Sequence, residues 1–272
     1  MNKSIAAIPN RLLASLPRKE YRKLLPDLSP VTLKFRDVLY EPGKPMRDVY
    51  FPSTSLVSLL TIVDGNTALE VGMVGRDGVV GSPLALDISV SSVRAIVQGG
   101  GPALRMSKAR FLRALRDSPR LQRGVDRYIH ALMGQVAQTA ACNRFHLVGP
   151  RLAKWLLMTR DRVGSGEFEI THRFLAGMLG VRRTGVTGAA AAFRRLHLIE
   201  YSRGLITILN HRGLEAVACS CYAAGTGTGV GAFTPWRPAR RRANGGVEGA
   251  GDLLRARKVR ELAETAELAE VA

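Results

Sequence analysis

The sequence predicts an α+β fold in three parts: a β-rich barrel, one long amphipathic helix, and a small helical unit that ends in a hairpin. Three observations carry this. Between residues 31 and 106, short β-branched runs recur at about ten-residue spacing with turn signals between them. From 121 to 140, apolar residues step by three and four, with no proline until Pro150. From 170 to 209, two helical patterns separated by Gly180 precede two apolar runs around Ser202-Arg203-Gly204.

At the N-terminus Leu12, Leu13, Leu16, Tyr21, Leu24 and Leu25, punctuated by Pro17 and Pro26, predict one or two short helices. Strands are expected at 31–35, 38–40, 49–51, 56–63, 68–74, 79–80, 93–98 and 103–106. Glu41-Pro42-Gly43, Asp64-Gly65-Asn66, Gly75-Arg76-Asp77-Gly78 and Gly99-Gly100-Gly101 supply turns. Strands this short and evenly spaced suggest a sandwich or a jelly-roll barrel. A helix over 108–116 ends at Asp117-Ser118-Pro119. The long helix follows, with Leu121, Val125, Tyr128, Leu132 and Val136 along its seam. Packing on its own barrel accounts for one face of such a helix; a parallel coiled coil with a second copy would occupy the rest.

The second unit opens with a helix from Pro150 to about Arg162, with Leu152, Trp155, Leu156 and Met158 turned inward. After the loop Gly164-Ser165-Gly166 come helices over 171–179 and 182–196, a hairpin of 199–201 with 205–209, and a short helix capped by Asn210.

The chain has 272 residues, with 40 Lys+Arg against 22 Asp+Glu, a formal charge of +18. A field of that sign favours nucleic acid, an anionic membrane surface or an acidic partner. Residues 1–143 carry 20 basic and 11 acidic side chains (+9), 144–222 carry 12 and 5 (+7), and 223–272 carry 8 and 6 (+2), so the middle segment is the densest. With 46% hydrophobic and 23% charged residues, disorder throughout is excluded. Cys142, Cys219 and Cys221 are too few for a disulfide scaffold and lack the paired spacing of a structural zinc site. Cys219-x-Cys221 is a weak redox or metal hint that reads first as small residues in a terminal helix, and no metal ligands are assigned. No apolar run would span a bilayer, and Pro9 and Arg11 break the start before it could form a signal-peptide core. The expectation is a cytoplasmic chain with no membrane partner. Nucleophile-elbow, phosphate-loop and zinc-hydrolase motifs do not occur, so no catalytic residue is assigned and an enzyme is not expected.

Function concentrates in ITHRFLAGMLGVRRTGVTGAAAAFRRLHLIEYSRGLITIL, residues 170–209. Thr171 suits an N-cap. Leu175, Met178 and Leu179 give the first helix a buried stripe, and Gly180 stands where the turn needs positive φ. Val181, Val186, Ala189, Ala190 and Phe193 face inward, and Ala176 lets the helices cross closely. Arg182, Arg183, Thr184, Thr187 and Gly188 are left for the outer face of the second helix. Two arginines at that end are placed to bond phosphates or the O6/N7 edge of guanine. Arg203 at the hairpin tip would approach the backbone. Arg194 and Arg195 either touch phosphate or are ordinary solvated charges.

GRDGVVGSPLAL at 75–86, RLAKWLLMTRDRV at 151–163 and FLAGMLGVRRTGVT at 174–187, in this order of parts, resemble the Crp-Fnr family of bacterial transcription regulators. The resemblance covers residues from about 20 to 222. It implies a cyclic-nucleotide-binding-like β-roll sensor domain over 1–118, a dimerisation helix over 119–144 and a winged helix-turn-helix over 145–222, followed by a tail over 223–272. It also implies a homodimer on a two-fold symmetric operator in duplex DNA, RNA polymerase as a partner, and a small-molecule effector. By position in the motif, Arg182, Arg183 and Gly188 fall where such regulators present base-reading residues. A non-specific nucleic-acid-binding or architectural protein is the alternative.

The resemblance places an effector pocket at Gly72, Gly81, Ser82, Ser89 and Val90. Nucleotide-binding members use a Gly-Glu pair for ribose and an Arg-Ser pair for the cyclic phosphate, arginine being suited to bidentate bonds. Here Val80-Gly81-Ser82-Pro83 has no glutamate, and Ile88-Ser89-Val90-Ser91-Ser92 has no arginine; Arg94 aligns with a later strand position. Cyclic AMP in the usual mode is therefore not expected. Cluster-bearing members use N-terminal cysteines, and none precedes Cys142; His130 and His146 read as packing or surface. No cofactor is assigned. The tail is read as a Gly/Ala/Arg-rich linker with Arg240-Arg241-Arg242, then a helix former with Leu253, Leu254, Val259, Leu262 and Leu268.

Overall fold

A computed structural model describes residues 10–63 and 67–223. The turn at 64–66 and all but the first residue of the tail lie outside it. The chain divides into two compact units whose boundary falls between Gly134 and Gln135, with Ala68–Glu70 grouped with the second.

In the first unit, α1 (Arg11–Ala14) is capped by the buried Asn10, whose Oδ1 accepts from Leu13 N and whose Nδ2 donates to the carbonyls of Pro52 and Gly78. This side chain fixes a four-residue helix that could not form alone. After α2 (Arg18–Leu24) come β1 (Ser29–Leu33), β2 (Val38–Tyr40), β3 (Asp48–Pro52), β4 (Leu56–Val63), β5 (Thr67–Val74), β6 (Arg94–Gly99) and β7 (Gly101–Ser107). They form two sheets ordered β1-β7-β3 and β2-β6-β4-β5; the β1–β7, β3–β7, β2–β6 and β4–β6 pairs are antiparallel. The architecture is the expected β-roll. Phe51 and Phe111 meet edge to face across its core at 6.3 Å.

The strand expected at 79–80 is reduced to one bridge, Val80 to Tyr50. Gly81 takes φ +91 and starts a 3-10 turn over Ser82–Leu86 that contains Pro83, so the ladder cannot continue. A Cβ at Gly81 would lie 2.7 Å from the Tyr40 hydroxyl, so both backbone and space require glycine there.

From the roll, α3 (Lys108–Asp117) leads into α4 (Pro119–Phe145). The seam predicted for dimerisation is corrected here. Leu121, Val125 and Tyr128 are buried within the chain itself, Val125 completely. Tyr128 lies so close to Gly78 that a Cβ there would be 2.0 Å from its ring. Leu132 is half-buried, and Met133 (66% exposed) and Val136 (37%) carry the apolar stripe that remains open. The helix has two apolar faces, and its first turns use one of them to close the roll.

In the second unit α5 (Val148–Val163) begins two residues before Pro150, which still falls in the first turn, where its missing N–H costs nothing. Then come β8 (Glu167–Glu169), α6 (His172–Leu179), α7 (Arg183–Arg195), β9 (Ile199–Ser202), β10 (Leu205–Ile208) and α8 (His211–Val217). The hairpin is part of a three-stranded antiparallel sheet ordered β8-β10-β9; β8 was not anticipated. Arg151, Lys154 and Arg162 of α5 are buried. Arg151 donates to Asn143 Oδ1 at 2.8 Å and to the carbonyl of Leu179, tying down the C-terminus of α6. These three charges support the fold and do not belong to a binding surface, although the segment's charge count includes them. Among the described residues no helix is long and apolar enough to cross a membrane.

Candidate nucleic-acid interface

The helix-turn-helix is built from local rules. The Thr171 hydroxyl accepts from Phe174 N at 3.2 Å and starts α6. Gly180 ends it at φ +63, its N–H returning to the carbonyls of Ala176 and Gly177. Arg182 is the N-cap of α7. Val186, Ala189, Ala190, Ala192 and Phe193 form the packed side of that helix.

The opposite side is exposed at Arg182, Arg183, Thr184, Thr187, Gly188, Ala191, Arg194 and Arg195. A Cβ at Gly188 would have nothing within 4 Å, so no packing demand explains a glycine there. Two predicted contact residues are already engaged. The Thr171 hydroxyl serves as the cap. Thr187 Oγ1 donates to the Arg183 carbonyl at 3.0 Å and lies 3.0 Å from His172 Nδ1. With the Thr187 proton committed, His172 Nδ1–H is the donor. The imidazole also stacks on Tyr201 at 4.2 Å, which ties the start of α6 to both α7 and the hairpin. Burial, and then the Arg183 charge, hold the His172 pKa below its ordinary value, and its Nε2 is buried without a partner.

At the hairpin tip Arg203 (φ 50) and Gly204 (φ 87) both adopt positive φ, as a two-residue turn requires. Arginine accepts strain there that asparagine or glycine would avoid. Residues 171–209 hold six arginines against one glutamate, Glu200, and all six arginines are exposed. Exposed guanidinium groups stand at both ends of α7, on α6 and at the hairpin tip, an excess of positive charge that suits a phosphate backbone.

The effector-pocket residues are separately occupied. Gly72 is buried in β5, and Ser82 is buried in the turn after Gly81. Ser89 Oγ accepts from Lys108 Nζ, and Val90 bridges Pro45 while half exposed. Arg94 pairs with Glu41 at 2.9 Å, so it is committed to a surface ion pair.

Residues 150–217 match the family model of the Crp-like helix-turn-helix domain. No curated protein matches the sequence. Among solved structures, FixK2 from Bradyrhizobium japonicum superposes with a TM-score of 0.59 at 12% identity, covering 71% of this chain and 98% of that one. A CRP-family transcriptional regulator from Thermus thermophilus gives 0.57 at 19%, covering 68% and 94%. The c-di-GMP-responsive regulator CLP from Xanthomonas campestris gives 0.57 at 15%, covering 71% and 99%. At these identities the likeness is one of fold. Fold and domain match point the same way: residues 150–217 match the Crp-like helix-turn-helix domain, and about 70% of the chain shares its fold with solved structures that include a CRP-family transcriptional regulator.

Proposed function

We propose that the chain acts as a homodimer on a two-fold symmetric operator, with the N-terminal half of α7 in the major groove and Arg203 on flanking phosphate. Residues 1–118 form the sensor, 119–144 the dimer helix and 145–222 the reading unit. The observation that carries this is the outer side of α7, where Arg182, Thr184 and Gly188 are exposed and a Cβ at Gly188 meets nothing within 4 Å. The second copy would cover Ile129, Leu132, Met133 and Val136, placing two reading helices about one DNA turn apart. RNA polymerase is the partner through which bound regulator acts, and an effector other than cyclic AMP in its usual mode shifts the competent population. The commitment of Arg94 to Glu41 supports that exclusion.

The test is fluorescence anisotropy with an operator selected from random duplex, against random duplex and RNA, at two salt concentrations. The selected site should bind at least about a thousandfold tighter than random duplex. Equal affinity for all three would leave only a non-specific or architectural binder.

A further inference from the structure

All three cysteines of the chain meet at one place. Cys142 and Cys219, 77 residues apart, have their sulfurs 3.6 Å from each other, and Cys221 Sγ lies 3.4 Å from His146 Nδ1. The four ligand atoms all fall within 4.8 Å of one another. We propose that Cys142, His146, Cys219 and Cys221 form a four-ligand site for a borderline-to-soft divalent transition ion, zinc being the reference occupant, which clamps the end of α4 to the segment following α8.

The local backbone explains the arrangement. Cys142 and His146 are four residues apart, and His146 N still bonds the Cys142 carbonyl at 3.1 Å, so both side chains leave one face of the last helical turn. Cys219 follows the end of α8 at Val217; its N–H bonds the Pro150 carbonyl, and Tyr222 N bonds the Cys219 carbonyl, a turn that brings Cys221 back to the same face. Zinc bound at about 2.3 Å to sulfur and about 2.0–2.1 Å to nitrogen sets tetrahedral ligand atoms about 3.6–3.8 Å apart, so the 3.6 and 3.4 Å pairs already match and the widest, within 4.8 Å, would close by about 1 Å.

The surroundings fit the same ion. The three thiols are buried and the imidazole is partly so. Gln138 Nε2 donates to Cys221 Sγ, an outer bond that orients a ligand. Three thiolates and a neutral imidazole leave a divalent site with one negative charge, and the buried Lys154 ammonium acts on all three sulfurs and balances it. Thiolate-rich sets select zinc-like ions over magnesium or calcium, which need oxygen donors.

The full chain, stripped with chelator and kept reduced and anaerobic, is titrated with Co(II). One equivalent should give intense tetrahedral d–d bands and a thiolate-to-cobalt charge-transfer band, both bleached by Zn(II). Because the chain's only cysteines are these three, the charge-transfer band reports this site alone. Cys219→Ser and Cys221→Ser should weaken binding by at least about 100-fold, the upper end of what an outer-shell change alone costs. His130→Ala, a change at an exposed histidine on the same helix, should leave it unaltered. Circular dichroism of each variant separates ligand loss from unfolding. Binding well below one equivalent by natively folded protein would overturn the proposal. So would a pale octahedral spectrum unchanged in Cys219→Ser, or a Cys142–Cys219 disulfide in protein isolated metal-free without reductant.

Discussion

Gly185 and Gly188 lie one turn apart in α7, and exchanging each for alanine separates folding from reading. A Cβ at Gly188 enters open space, whereas one at Gly185 meets Val148 at 3.6 Å, ordinary van der Waals contact. Neither substitution strains the helix, so each should gain the propensity difference of about 0.8–1 kcal/mol. In a domain of this size that is a rise of roughly 4–8 °C in Tm. Binding should split them. At 3.6 residues per turn Gly188 sits near the pole opposite the packed stripe, and Gly185 at the flank of that stripe. A methyl forced into a close-fitting groove costs about 1–3 kcal/mol, so Gly188→Ala should lose roughly tenfold or more in operator affinity. Gly185→Ala should bind like the parent. Thermal unfolding and anisotropy on the same preparations read both quantities. A Gly188→Ala protein that gains stability and keeps full affinity would show that α7 does not enter the groove. A fall in its Tm would refute the open-space argument itself.

Three further outcomes are expected. Arg182→Ala and Arg183→Ala should each cost about 1–3 kcal/mol in operator binding, with relaxed discrimination at one base position if bidentate to guanine; a loss equal for all sequences, with the salt slope reduced by about one, would mark a phosphate contact instead. Met133→Glu should convert dimer to monomer in sedimentation and weaken operator binding while Tm holds, whereas Val125→Glu, which puts a carboxylate where the side chain is wholly buried, should destabilise the roll by several kcal/mol. Because the His172 pKa is lowered on folding, the unfolded chain binds the extra proton first as pH falls below about 6.5. The second unit's Tm should therefore decline as pH falls through that range. His172→Phe, which keeps a ring on Tyr201 but cannot titrate, should flatten the decline; an unchanged slope would remove His172 from the account.

Much of this was legible in the sequence because the signals are local. Thr171, Gly180 and Asn210 each specify one cap, and the structure uses all three as caps. β8 was missed because Glu167-Phe168-Glu169 is three residues long and mostly charged; it is a strand only because β10 lies beside it. The first three residues of the dimer seam were misassigned because a 3.6-residue period cannot say which of two apolar stripes meets its own chain. Leu121, Val125 and Tyr128 are claimed by the roll, leaving Met133 and Val136 outside. The buried Arg151, Lys154 and Arg162 look in sequence like any basic surface. The Cys142–His146 spacing was a visible hint, but no local pattern could join it to Cys219 and Cys221 across the winged unit.

The division of labour around α7 has a consequence for how such a protein diversifies. Thr187 holds α6 and α7 together through His172, and the inward alanines fix the crossing, while exposed Thr184, Gly188 and Ala191 stand on the other side of the helix. Exchanges at those three exposed positions disturb no buried packing. If α7 reads the operator as proposed, lineages could change operator preference at these positions without passing through an unstable intermediate.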